Sequence, residues 1–273
     1  MLDVYTALPT PFVKGKVDLD SMKVVLDKQN ASDTKGVVAL GTTGENNLLS
    51  QSERLQVLQF VRRNTNKDVI AGICNPSTSE CVHLAKQYQK LGADALLVTT
   101  PYYIGCNTNG LVKHYQNISK GCKLPIILYN VPRRTGFDVD VDTVVKISER
   151  CNLLAVKECN GSMEKLAKYR QNGIDILCGN DGDIGLFTQS GYNGVISVVS
   201  NICPNLTTYN STSKTVKRLA SLCATGNPSA IKYALFCAGL TQSCQVRLPL
   251  TTPTKGVKRQ ISEFVVRNWD GLR

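Results

Sequence analysis

Lys157 closes the short apolar run Leu153-Leu154-Ala155-Val156, and Tyr129 closes another, Pro125-Ile126-Ile127-Leu128. An amine at the end of a buried strand is costly in its charged form, because a low-dielectric surrounding disfavours the ammonium. Two chemistries keep a lysine there. One is pairing with a carboxylate, for which the adjacent Glu158 is a candidate; the other is service as a neutral amine that attacks a carbonyl and forms a Schiff base. A lone lysine leaves both open. A phenol held close to the amine adds acid–base capacity to the second, since a hydrogen-bonded tyrosine can shuttle protons.

Other chemistry-bearing residues also follow apolar runs. Gly41-Thr42-Thr43-Gly44-Glu45 combines glycines that let backbone approach a ligand with hydroxyls and N–H groups suited to a small carboxylate. Pro101-Tyr102-Tyr103, Arg134-Thr135-Gly136 and Gly179-Asn180-Asp181 occupy equivalent places after other runs, and Gly194-Val195-Ile196-Ser197 lies on one. Each alone has an ordinary structural reading, a glycine turn or a packing tyrosine. No GxGxxG or P-loop competes with them. Zinc is disfavoured, because His83 and His114 lie far apart and the cysteines form no CxxC. Both histidines read as helix-surface residues.

The elements that must position these residues are legible as a rhythm. Strands are expected at Val4–Leu8, Val37–Leu40, Val69–Ile73, Ala95–Thr99, Ile126–Tyr129, Leu154–Lys157, Ile174–Cys178 and Val195–Val199. Between them lie helical patterns with credible starts: Ser50-x-x-Glu53 and Ser77-x-x-Glu80 as capping boxes, Asp140 or Asp142 as a cap, and Ser162 before MEKLAKYR. Near-continuous Val/Ile/Leu strands alternating with amphipathic helices argue for a parallel sheet covered by helices, and eight such units for a closed (β/α)8 TIM barrel. The active face of such a barrel is the set of strand C-termini, where the residues above fall. From Pro204 onward only helical spacing remains, with no linker. Residues 1–203 are therefore expected to form the barrel, and 204–273 a C-terminal helical extension of the same unit.

Composition narrows the class. The 273 residues are 42% hydrophobic and 19% charged, as in an ordinary globular protein. No apolar run suits a membrane span and the N-terminus lacks the features of a signal peptide, so no membrane partner and a cytoplasmic location are expected. The net charge of +11 comes from 32 basic and 21 acidic residues. The basic residues are dispersed without a block interleaved with aromatics, which argues against nucleic acid and for a solvated basic surface. Eleven cysteines, odd in number and often inside apolar segments, read as reduced thiols.

As an ordered set, TALPTPF, GTTGE, TPYY, YNVPxRTG, the lysine of VKE and GVISVxxNxxP resemble the dihydrodipicolinate synthase / N-acetylneuraminate lyase family of pyruvate-dependent class I aldolases, over roughly residues 4 to 204. YNVPxRTG with GTTGE is similar to the synthase branch. The resemblance implies condensation of pyruvate with aspartate-4-semialdehyde to 4-hydroxy-tetrahydrodipicolinate in lysine and diaminopimelate biosynthesis, with no cofactor, in a homotetramer built as a dimer of dimers. Another pyruvate aldolase of the family is the alternative, and a non-enzymatic basic binding protein a third reading. By resemblance Lys157 is the Schiff-base lysine, and Tyr129, Thr42 and Tyr103 a proton relay in which Tyr103 serves a neighbouring subunit. Thr43 corresponds to the residue holding the pyruvate carboxylate, Arg134 to the one binding the semialdehyde carboxylate, and Ile196 to one whose backbone lies near the pyruvate moiety; Gly179 joins them at the substrate-binding rim. Two departures stand out. Asn180 replaces a common aspartate, and Gln51, Arg54 and Pro76 replace residues usual in lysine-inhibited members, with Glu80 retained. An arginine in a pocket for a cationic ligand is unfavourable, so weak or absent lysine feedback is expected.

Overall fold

The computed structural model describes residues 2–192, 194–205 and 214–272. Eight parallel strands close into a barrel in the order β1-β10-β9-β8-β7-β6-β5-β4. They are β1 Asp3–Ala7, β4 Gly36–Ala39, β5 Asp68–Ile73, β6 Ala95–Thr99, β7 Ile126–Asn130, β8 Leu153–Glu158, β9 Ile176–Cys178 and β10 Gly194–Ser197. The expected (β/α)8 TIM barrel is the fold. A hairpin of β2 Phe12–Val13 and β3 Lys16–Val17 adds a second small sheet.

Period-2 alternation divides each barrel strand between two cores. Val38, Ile70, Leu97, Ile127, Tyr129, Ala155 and Ile196 fill the lumen. Their neighbours Val37, Val69, Val98, Leu128, Val156 and Val195 face the helices. Both faces being buried, every residue of β4 and β6 is buried, Thr99 at the end of β6 included.

The helical layer comprises α1 Leu19–Asn30, α2 Gln51–Arg63, α3 Thr78–Lys90, α4 Thr108–Gly121, α5 Pro132–Thr135, α6 Val141–Ser148, α7 Met163–Gln171 and α8 Ile184–Gln189. Local sequence starts several of them at the residues read, although the Ser77 box is only half formed, the Ser77 N–H bonding Asn75 Oδ1 at 2.8 Å rather than Glu80. Ser50 and Glu53 form a reciprocal capping box on α2, Ser77 accepts from the Glu80 N–H on α3, and Ser162 caps α7. Asp140, rather than Asp142, caps α6. The C-terminal helices are α9 Lys214–Ala224, α10 Ser229–Cys237 and α11 Lys255–Leu272. On α10 the residues Ala230, Ile231, Lys232, Ala234 and Leu235 are all buried.

Four expectations are corrected. Leu40 leaves the strand with a left-handed φ of 58°. Ile174 lies before β9, its N–H bonded to the Tyr169 carbonyl behind α7. Val198 and Val199 leave the barrel because the Asp181 carboxylate accepts their N–H groups at 2.9 and 3.2 Å. His114 is buried, not on the surface, and bonds Thr78 at 2.9 Å; burial lowers its pKa to about 4. His83 is exposed, as read.

Candidate active site

Strand alternation separates two adjacent charged residues. On β8, Ala155 faces the lumen and Lys157 follows it, whereas Val156 and Glu158 face the helical layer. Glu158 is fully engaged there. It accepts from Asn130 Nδ2 at 2.9 Å, from the Asn160 N–H at 2.7 Å and from the Tyr169 hydroxyl at 3.2 Å, and pairs with Lys165 at 3.1 Å. Glu158 is therefore no partner for Lys157, and the structural ion pair that the sequence left open does not form.

Lys157 is 6% exposed, and its Nζ makes no hydrogen bond or ion pair among the described residues. The register sets Tyr129 beside Lys157, and Nζ lies 4.3 Å from the phenol ring centroid. Burial lowers the lysine pKa, opposed by Cys159, Asp181 and Cys178 and assisted by Arg134. The neutral amine is favoured accordingly. Burial also pushes the Tyr129 phenol above its usual value, Cys159 adds to this, and a hydrogen bond with Thr42 and the charge of Arg134 oppose it. The phenol is thus a protonated acid, with Thr42 and Cys159 among the groups that act on it.

The turn after β4 brings Thr42 and Thr43 to the same end. Thr43 is buried and its Oγ1 accepts from Asn227 Nδ2 at 3.0 Å. Arg134 is exposed on α5, which Pro132 starts and Gly136 ends with a φ of 73°; its Nη2 donates to the Asn227 carbonyl at 3.3 Å. Thr42, Arg134 and Asn227 line a cavity of about 270 Å³ with Asn46, Cys74 and Tyr102. Lys157 and Tyr129 do not line it; Thr42 joins the two regions.

Ile196 is a buried lumen residue. Gly179 donates its N–H to the Glu158 carbonyl at 2.9 Å, and a Cβ there would lie 2.2 Å from Cys159 Sγ, so only glycine fits. Asn180 replaces a charge with an amide that donates to the Cys159 carbonyl at 3.1 Å and to Asp183 at 2.9 Å, tying β9 to the end of β8. Tyr103 is not brought to Tyr129 and Thr42 within the chain. It is 97% exposed with a φ of 72° and lies outside the cavity lining.

Two residues that sequence reasoning did not assign to the site, Asn227 and Cys159, enter it, and Asp181, read only as part of the turn after β9, gains a definite role. Asn227 arrives from the C-terminal segment, where only an Asn-Pro turn signal marks it. Cys159 shares the lumen-facing parity of Ala155 and Lys157, which could have revealed it. Asp181 bonds Ser197 and the Val198 and Val199 N–H groups, fixing the backbone just after Ile196; burial raises its pKa and these bonds oppose the rise. Among the described residues no cluster of His, Cys, Asp or Glu could hold a metal ion, and no helix is long and apolar enough to cross a membrane.

A closed barrel with a buried amine and a phenol at its strand ends belongs among the (β/α)8 enzymes that act at that face. The Dihydrodipicolinate synthetase family matches residues 1–267, and the chain belongs to this family and is a lyase. It is 33% identical to the 4-hydroxy-tetrahydrodipicolinate synthase of Aliarcobacter butzleri, over 96% of each chain. The solved 4-hydroxy-tetrahydrodipicolinate synthase of Methylacidiphilum fumariolicum superposes with a TM-score of 0.92 at 30% identity, covering 100% of this chain and 97% of that one. The chloride-inhibited dihydrodipicolinate synthase of Acinetobacter baumannii, solved in complex with pyruvate, gives 0.89 at 31% identity, covering 100% and 99%.

Proposed function

We propose that the protein condenses pyruvate with aspartate-4-semialdehyde to 4-hydroxy-tetrahydrodipicolinate through a Schiff base on Lys157, in lysine and diaminopimelate biosynthesis. The observation that carries the reading is a buried amine without a bonded counter-ion among the described residues, facing a phenol at a barrel mouth. The neutral amine attacks the ketone carbon of pyruvate, and Tyr129 protonates the departing hydroxyl so that water leaves and an iminium remains. Loss of a methyl proton gives the enamine, whose carbon attacks the aldehyde. The amino group of the bound product then displaces Lys157 and closes the ring. Thr43 and the adjacent N–H groups suit the pyruvate carboxylate, and Arg134 at the rim suits that of the semialdehyde through its planar fork. Gly179 gives room beside Cys159, and Ile196 supplies backbone near the pyruvate carbons.

Thr42 connects Tyr129 to the cavity, and Tyr103, being exposed, is available to complete the relay of a neighbouring copy in a homotetramer. The enzyme needs no cofactor in this scheme and works in the cytoplasm. Incubation with pyruvate and borohydride, followed by mass spectrometry, should show a reduced adduct on Lys157 that Lys157→Ala abolishes. A missing adduct, or one that survives the substitution, refutes the scheme. Turnover of the semialdehyde in preference to other aldehydes then separates the synthase from another pyruvate aldolase.

A further inference from the structure

The chain from Asn227 to Leu250 returns to the turn that carries Thr42 and Thr43, and its strongest contact is a buried charge pair. Lys232 on α10 is 1% exposed; its Nζ donates to Glu45 Oε1 at 2.6 Å and to the Thr10 carbonyl at 2.8 Å, and lies 4.1 Å from the Phe12 ring centroid. The other Glu45 oxygen accepts the Arg247 N–H at 2.9 Å. The Thr10 hydroxyl in turn donates to the Gly44 carbonyl at 2.7 Å. Lys232, Thr10, Gly44 and Glu45 thus close a ring around the end of the turn.

That turn needs holding. Leu40 and Glu45 bracket it with left-handed φ values of 58° and 56°, conformations that a side chain adopts at a cost unless its surroundings over-determine them. The pair is poorly explained as a source of stability. Burial is the largest influence on Lys232 and lowers its pKa to about 8 against the pull of Glu45, so the folded state disfavours the ammonium relative to the unfolded chain. Apolar residues of similar volume commonly replace a buried ion pair without loss. What the pair supplies is a fixed geometry.

We propose that Lys232 is a positioning residue for the active site: through Glu45 and Thr10 it holds the Gly41–Glu45 turn in the conformation that presents Thr42 and Thr43 to the carboxylate of an α-keto acid. This inference rests on the pyruvate reading of the site. The titratable and charged groups that face Lys232 are Glu45, Arg247 and Cys244, with Glu53 one step further through Arg247. Loss of the Lys232 proton above about pH 8 weakens the hold on Glu45, so half-saturation by pyruvate rises on the alkaline side. The growing neutral fraction of Lys157 acts in the opposite direction.

Lys232→Met alone strands a buried carboxylate, so the test uses Glu45→Gln/Lys232→Met, with Thr10→Val breaking the ring elsewhere. The readouts are the melting temperature and the pyruvate dependence of the borohydride-trapped Lys157 adduct between pH 7 and 9. The double variant should melt at or above the wild-type temperature and need about tenfold more pyruvate for half-saturation, with the saturated trapping rate within about threefold. Thr10→Val should shift half-saturation about threefold in the same direction. Relative to the double variant, in which the Lys157 effect remains and the Lys232 effect is gone, wild-type half-saturation should rise between pH 7 and 9. Wild-type half-saturation in the variants, a double variant that loses its fold, or a double-variant-to-wild-type ratio of half-saturation that stays constant from pH 7 to 9 overturns the inference. A wild type that forms no adduct overturns the pyruvate reading instead.

Discussion

Tyr129→Phe removes one oxygen from the lumen and leaves the ring in place. The ring would remain about 4.3 Å from the Lys157 amine and keep its packing against the lumen cluster. The lost hydroxyl takes with it its polar interactions with Thr42 and Cys159, a net stability loss of at most about 1 kcal/mol, which lowers the melting temperature by no more than roughly 2–4 °C in a chain of this size. The catalytic loss is larger. A positioned acid–base group contributes about 10²- to 10⁴-fold, or about 3–5 kcal/mol of barrier, because water must now protonate the departing carbinolamine hydroxyl. Single-turnover trapping of the pyruvate adduct by borohydride, with steady-state turnover in parallel, measures this directly. Because burial holds the wild-type phenol above its usual pKa, the wild type retains a protonated Tyr129 at neutral pH, and the defect should persist at every pH from about 6 to 9. A variant that turns over within about tenfold of the wild type, or that loses far more stability than one hydrogen bond explains, refutes the role.

Arg134→Ala should leave pyruvate trapping intact while the efficiency toward the semialdehyde falls about 30- to 100-fold, the worth of a charge-assisted bidentate contact; unchanged turnover counts against it. Glu53 pairs with Arg247 and its pKa falls from 4.5 to about 2, chiefly through the hydrogen bond from that guanidinium. A folded value below the unfolded one gives stability that is present above about pH 4.5 and lost as pH falls through about 2. Glu53→Gln should therefore cost about 1–2 kcal/mol near pH 7, discounted for partial exposure, with the gap closing toward pH 2; denaturant unfolding across that range measures it, and a gap independent of pH contradicts it. Millimolar lysine should leave the initial rate unchanged, because Arg54, whose guanidinium bonds Asn46 at 3.5 Å, stands in the expected lysine pocket, where a second cation is repelled. Tight, cooperative inhibition by lysine would show otherwise.

The barrel was legible because its strands are buried on both faces and read as Val/Ile/Leu runs separated by capped helices. What escaped the reading was set by distant partners. The expected strand through Val199 ends earlier because a carboxylate seventeen or eighteen residues upstream takes the N–H groups of Val198 and Val199. Asn227 and Lys232 bond to Thr43 and Glu45 across 184 and 187 residues, a link no local pattern announces. The β2–β3 hairpin was missed because each strand is two residues long and its turn, Lys14-Gly15, is marked only by one glycine. His114 was recoverable. On α4 it lies three residues after Leu111 and four before Ile118, so the spacing that defines the apolar face includes it.

The decisive feature of the site was hidden in plain sequence as a Lys-Glu dipeptide. Adjacent opposite charges invite the reading of a local ion pair, yet a β-strand points successive side chains to opposite faces. Glu158 is turned toward α7, where Asn130, Asn160, Tyr169 and Lys165 satisfy both of its oxygens. Lys157 is turned into the lumen, where Asp181 is a carboxylate within electrostatic reach but is committed to Ser197 and to the Val198 and Val199 N–H groups. The same alternation therefore gives the fold a fully bonded anion and leaves the chemistry an amine that has no bonded counter-ion among the described residues to keep it protonated. A one-residue slip of β8 would exchange the two faces, place the carboxylate in the lumen and remove the nucleophile. The register that pairs Tyr129 with Lys157 and Asn130 with Glu158 thus serves packing and catalysis at once, since Asn130 is itself a donor that holds the carboxylate on the outer face.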